Sequence, residues 1–262
     1  MSLNSLKDAD FPPFLSLASW RGRSGRGRLL PALLLLPPLA LTTPVSANPS
    51  GGQVVAGSAS FSSSGSTLTI TQGSDRAIIH WQDFSIPGGS TTQFVQPSSA
   101  SAVLNRVTGG NPSAIHGTLR GNGQVYLINP NGILVGATGV VDTAGFLAST
   151  LDVSNAAFLG GGDLRFTGSS EASVVNLGSI GASGGDVILI ARTVENRGEI
   201  HAPNGTAALA AGSEVLVKAS GEERVFIEAG GAGDSSGATQ AGLIAAASAE
   251  IKAAGGNEYA LA

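Results

Sequence analysis

The 262-residue chain contains no cysteine. That absence excludes a disulfide scaffold, an iron–sulfur or thiolate-zinc centre, a cysteine nucleophile and a lipid-modified N-terminal cysteine. Charge is scarce too. Only 12% of residues are Asp, Glu, Lys or Arg, about half the share of an average soluble domain. Fourteen Lys and Arg face 18 Asp and Glu, a formal net charge of −4, so there is no basic stripe of the kind nucleic acid requires. Glycine is abundant instead, at 38 residues, but without the three-residue period of collagen. A chain rich in Gly, Ser and Ala with 42% hydrophobic residues points to β structure with many turns.

Residues 1–47 differ from the rest. Arg21, Arg23, Arg26 and Arg28 form a basic block, followed by an uncharged Leu-rich run from Leu29 to Leu41. Val45 and Ala47 then supply small residues at −3 and −1, which predicts an extended secretory signal cut before Asn48. A transmembrane anchor fits less well. Such a span needs about 20 apolar residues, and Pro31, Pro37 and Pro38 interrupt this run. Without residues 1–47 the chain carries nine basic and 16 acidic groups and no second long apolar run.

An internal repeat lies further on. Val174, Asn176, Gly178, Ile180, Ala182, Gly185, Leu189 and Ala191 recur twenty residues later as Val194, Asn196, Gly198, Ile200, Ala202, Gly205, Leu209 and Ala211. Fixed small and apolar positions alternate with variable ones, so one side points inward and the other outward. Twenty residues are too few for a helix pair, but they suit one coil of a β-solenoid. A leucine-rich repeat has a similar length, yet its Leu/Asn consensus is missing. Asn176 over Asn196 would make an internal amide ladder. Upstream, 67–71, 77–81, 93–96 and 124–128 alternate or carry β-branched and aromatic residues between turns, as strands do. Nine or ten coils at about 4.8 Å each predict a rod of roughly 45 Å. The Ala-rich segment 241–254 fits either a helix or a last coil, and 226–262 is expected to hold further coils or the start of a downstream region.

Asn129-Pro130-Asn131-Gly132 is a corner between two apolar strands. Pro suits the second position of a type I turn, and Asn129 can close an Asx-turn. In context, the stretch NGQVYLINPNGILVGATGVVDTAGFLAST (122–150) resembles the two-partner secretion domain of filamentous-haemagglutinin-like and high-molecular-weight-adhesin-like exoproteins. IIHWQDFSI (78–86), FVQPSSASAVLNRVTGG (94–110) and STLDVSN (149–155) extend the resemblance over roughly 50–220. It implies an all-β fold, a right-handed parallel β-helix with extra-helical β elements and an N-terminal cap, set over 48–225. It also implies export through the Sec machinery and a dedicated outer-membrane β-barrel transporter with periplasmic recognition domains. The destination would be the cell surface or exterior of a Gram-negative bacterium, and an adhesin-like downstream region would meet any receptor. The family's NPNGI motif falls on Asn129, Pro130, Asn131, Gly132 and Ile133. Its NPNL motif has no match; Asn111-Pro112-Ser113 is nearest and lacks the second Asn. Whether Asn129–Ile133 touch the transporter or only fix a corner stays open at this level.

Other candidates carry less. Parallel β-helix enzymes cluster carboxylates on one face, whereas Asp142, Asp152, Asp163 and Asp186 fall out of a twenty-residue register, so no catalysis is expected. His80, His116 and His201 lack metal-ligand spacing, and no cofactor is implied. Gly181-Ala182-Ser183-Gly184-Gly185 matches a hydrolase string, but Ser183 shares a repeat position with Pro203, a corner. Gly230–Asp234 is a single copy of a calcium-type nonapeptide start. Asn204-Gly205-Thr206 is a sequon that also makes a turn, and Glu222-Glu223-Arg224 suggests a solvated loop. Two rivals remain: a carbohydrate-active parallel β-helix enzyme, and a passive surface scaffold that needs no transporter.

Overall fold

A computed structural model describes residues 48–229 and 236–254. Their strands climb in coils, and each coil lays its strands parallel on those of the coil below. The first face begins at Thr67 and continues through Thr91, Thr118, Val140, Ser179, Glu199 and Leu243, which pair in turn. The second runs from Arg76–Trp81 through Ala102–Val107, Gln124–Ile128, Gly145–Ser149 and Val187–Ala191 to the far halves of Glu199–Ala211 and Leu243–Ala253. The third, shorter face stacks Ser113–Ile115, Ile133–Val135, Ser173–Asn176, Thr193–Asn196 and Gly237–Gln240. This is the parallel β-helix, with its core inside the coils.

The described coils number seven on the first face rather than nine or ten, which makes the stack roughly 29 Å tall at about 4.8 Å per step. A twenty-residue coil occurs where Ser179 meets Glu199, but among the described residues the chain leaves the helix twice. It departs after Gly145–Ser149 to form the helix Asn155–Gly160 and the strand Leu164–Thr167, and again after Ala211 to form Glu214–Val217 and Val225–Ala229. Those three strands make a separate antiparallel sheet. The 241–254 segment is strand, Leu243–Ala253, stacked on Glu199–Ala211. Its Ala-rich composition yields to the neighbour's ready-made row of backbone donors and acceptors.

Burial explains the excursions. First-face strands alternate, as Thr67–Gln72 does with Leu68 and Ile70 inside. Second-face strands are apolar on both sides, and Val187–Ala191 is buried at all five positions. Its inward residues Val187, Leu189 and Ala191 join the central core, while Ile188 and Ile190 point outward into a second cluster. Phe158 of the helix and Leu164, Phe166, Val215 and Val217 of the outer sheet cover that cluster. A strand buried on both faces reads as a continuous apolar run, so the cover is written into the strands it protects.

The first coil is closed by an N-terminal cap. Gln53–Ala56 and Ala59–Ser64 pair antiparallel with Arg76–Trp81 and Thr67–Gln72. This covers the open strand edges on which other chains would otherwise add.

Candidate functional site

Asn129 lies at the corner leading into the third face, fully buried. Its Oδ1 accepts the Asn131 backbone N–H at 2.9 Å and Asn131 Nδ2 at 3.0 Å. Its Nδ2 donates to Asn111 O at 3.0 Å and Ser113 Oγ at 2.9 Å in the preceding coil. Gly132 N–H closes the turn onto Asn129 O at 3.1 Å, and Gly132 takes φ 110°, where a side chain would be strained. Pro130 and Asn131 are exposed. Asn131 Nδ2 reaches Gly109 O at 2.9 Å, and Pro130 O accepts from Ser170 Oγ at 2.7 Å. Ile133 is buried beside Ser113. One corner therefore ties three coils together, and Asn111-Pro112-Ser113 forms the level directly before it.

The second set of amides runs inside the third-face end. Asn176 Nδ2 donates to Asn196 Oδ1 at 2.8 Å, and Asn196 Nδ2 donates to Gln240 Oε1 at 2.8 Å. Gln240 is a third rung that the twenty-residue repeat does not reach, because the second excursion lies between the two coils. A further amide pair stands between the first two faces, where Gln96 Nε2 donates to Gln72 Oε1 at 3.2 Å and to Ser101 O at 3.0 Å. Asn105 is buried within the core, accepting from Trp81 Nε1 at 2.9 Å and donating to Tyr126 O at 3.1 Å. None of Gln72, Gln96, Asn105 or Gln240 stands out in the sequence, since each needs its neighbouring coil to be recognised.

Arg106 fastens the first excursion. Its guanidinium donates to Asp152 Oδ1 at 2.9 Å, Asn155 Oδ1 at 2.8 Å and Val153 O at 2.8 Å, with His80 Nε2 at 3.2 Å. Burial, then the Arg106 charge, lowers the pKa of His80, against a smaller pull upward from Asp152.

A family model for the TPS (two-partner secretion) secretion domain matches residues 45–259. The chain belongs to that family. The HMW1 secretion domain from Haemophilus influenzae superposes with a TM-score of 0.66 at 34% identity, covering 78% of this chain and 57% of that one. The filamentous hemagglutinin secretion domain shares the fold, with a TM-score of 0.51 at 19% identity over 78% of this chain and 75% of that one. Among curated proteins, a heme/hemopexin-binding protein of the Rd strain of Haemophilus influenzae is 38% identical over 164 residues, 60% of this chain and 18% of its own length. A second Haemophilus influenzae heme/hemopexin-binding protein is 45% identical over 86 residues, 33% of this chain and 9% of its own. The chain thus spans less than a fifth of the curated relatives it matches. TPS secretion domains belong to exoproteins that a cognate outer-membrane transporter delivers to the surface of Gram-negative bacteria.

The remaining candidates scatter over the TPS domain. Asp152 serves Arg106, Asp163 binds Lys218 Nζ at 2.9 Å, and Asp186 pairs with Arg224 at 2.8 Å. His201 sits against Glu199 at 3.2 Å, half-exposed. Ser183 Oγ donates to Thr143 O at 3.4 Å at a corner, and Asn204 Nδ2 bonds Ser183 O at 3.0 Å. Among the described residues no three His, Asp or Glu side chains gather as metal ligands. Arg224 departs from the solvated loop expected of 222–224, since it turns inward to Asp186. Gly230–Asp234 lies outside the described residues.

Proposed function

We propose that this chain is the N-terminal secretion segment of a longer exoprotein. Residues 1–47 act as an extended Sec signal cleaved before Asn48, and 48–225 form the secretion unit. The region from 226 onward leads into the part that meets a surface or receptor, with adhesion its activity. The observation that carries this reading is a capped parallel β-helix matched along its length by the TPS secretion-domain model.

The chain crosses the periplasm unfolded, docks on the periplasmic domains of its transporter and emerges. Coils then add one at a time, each using the last as template. Low charge and the absence of cysteine suit this route, because few ion pairs and no disulfides have to be matched as the coils form. Asn129–Ile133 serve as a corner that sets the third face, since every polar group of Asn129 is engaged within the fold. Catalysis has no place in this reading, because Asp152, Asp163 and Asp186 each serve a separate structural partner.

The test is secretion from a Gram-negative host, with and without the cognate barrel. Barrel-dependent release is expected. Equal release without it would overturn the reading in favour of a passive scaffold. An Asn131→Ala variant separates the two roles of the corner: if it folds normally but is not released, the corner contacts the transporter.

A further inference from the structure

Between the second face and its outer cover lies a cavity of about 360 Å³ that secretion does not explain. Its lining includes Arg76, Tyr126, Asp186, Lys218 and Arg224, together with Gly161. We propose that this cavity binds a small oxyanion, a carboxylate- or phosphate-bearing solute, through the Arg76 guanidinium and the Tyr126 hydroxyl.

The charges in the cavity do not cancel. Asp186 is its one lining carboxylate, and it is already engaged: Arg224 Nη1 lies 2.8 Å from one oxygen, and the Thr206 N–H donates to the other at 2.9 Å. Lys218 is matched by Asp163. Arg76 forms no ion pair with any described residue. Its Nη1 donates to Phe158 O at 2.7 Å, and the rest of its fork makes no other hydrogen bond among the described residues. A planar fork with spare N–H groups is suited to a carboxylate or phosphate, which it can grip with two bonds.

Phe158 places both groups. The Arg76 guanidinium carbon lies 5.3 Å from its ring centroid, and the Tyr126 ring meets it edge-on at 5.4 Å. Gly161, at φ 74°, lets the guanidinium lie against the backbone, since a Cβ there would come within 2.8 Å of Nη2. The Tyr126 hydroxyl has no hydrogen-bond partner among the described residues. Burial raises its pKa, so it remains a donor. Arg76, Tyr126 and Gly161 come from three separate segments, so the site exists only once the cover has closed.

Calorimetric titration of the full chain at fixed ionic strength, with inorganic phosphate, citrate and maltose as separate probes, tests the assignment. One-site saturable binding of phosphate or citrate is expected, and the stronger of the two identifies the oxyanion type. Tyr126→Phe, which removes only an unbonded hydroxyl, and Arg76→Gln should each weaken it by about tenfold or more. Arg120→Gln, at an exposed arginine on the first face, should leave it unchanged. Absence of saturable binding by both anions would overturn the proposal. So would preference for maltose, indifference to Tyr126→Phe, or an equal loss in Arg120→Gln.

Discussion

Asn129 and Asn131 stand two residues apart and carry unequal loads. Asn129 is buried with four side-chain bonds, whereas Asn131 is exposed and its amide adds bonds to Gly109 O and Asn129 Oδ1. Asn129→Ala strands Ser113 Oγ and Asn111 O and should cost about 1–3 kcal/mol, the usual penalty for a buried partner left unmatched. Asn131→Ala should cost about 1 kcal/mol or less. Urea midpoints of the two variants decide this, and equal losses would contradict the assignment of load. His80 gives a pH prediction. Burial and the Arg106 charge hold its folded pKa below the ordinary histidine value of about 6.5, so its share of stability is complete above that pH. As pH falls through 6.5 the unfolded chain takes up the proton first, and this share is lost. His80→Gln should flatten the denaturation midpoint between pH 7 and 5 relative to the parent; an unchanged slope would remove His80 from the account. The sequence marks the Asn129 corner through its turn chemistry. It is silent on Arg106 and Asn105, whose partners lie in other coils.

At the level of elements, the repeat's glycines mark close approaches between coils. A Cβ at Gly198 would run into the carbonyl oxygen of Gly178, and one at Gly242 into that of Gly198. These carbonyls accept the N–H of Glu199 at 2.8 Å and of Leu243 at 2.9 Å, so the coils cannot separate to make room. Gly198→Ala should therefore destabilise by about 1–3 kcal/mol, as overpacking does. Gly237→Ala, with open space at its Cβ, should be near neutral; comparing their melting temperatures checks both. The strands themselves were legible at 67–71, 77–81, 93–96 and 124–128, because alternation and β-branching are local. The helix Asn155–Gly160 was not. It is short, and what holds it is Ser154 capping Ala157 N–H at 3.2 Å, Phe158 in the outer cluster and Arg76 on its last turn. Arg106→Gln should loosen this excursion, measured as faster proteolysis within 150–162 while the coils stay protected.

For the whole molecule, the cap and the outer cover decide whether a stack of coils behaves as a single domain. Phe61 of the cap meets the buried Trp81 edge-on at 5.5 Å. Deleting 50–64 should leave the first coil's strands open to pairing with other chains. Light scattering should then report oligomers, with red-shifted Trp81 emission; a monomeric product would show that the cap is dispensable. The sequence by itself determined the β-helix class, because coil packing repeats the same small and apolar residue types at regular places, and the family, through the motifs around 122–150. It did not determine how many coils the described residues make, since a twenty-residue spacing cannot reveal where the chain leaves the stack. The tertiary structure decided that, along with the third rung at Gln240 and the cavity beside Arg76. Each joins residues far apart in the chain, and only stacking brings such residues within hydrogen-bond reach.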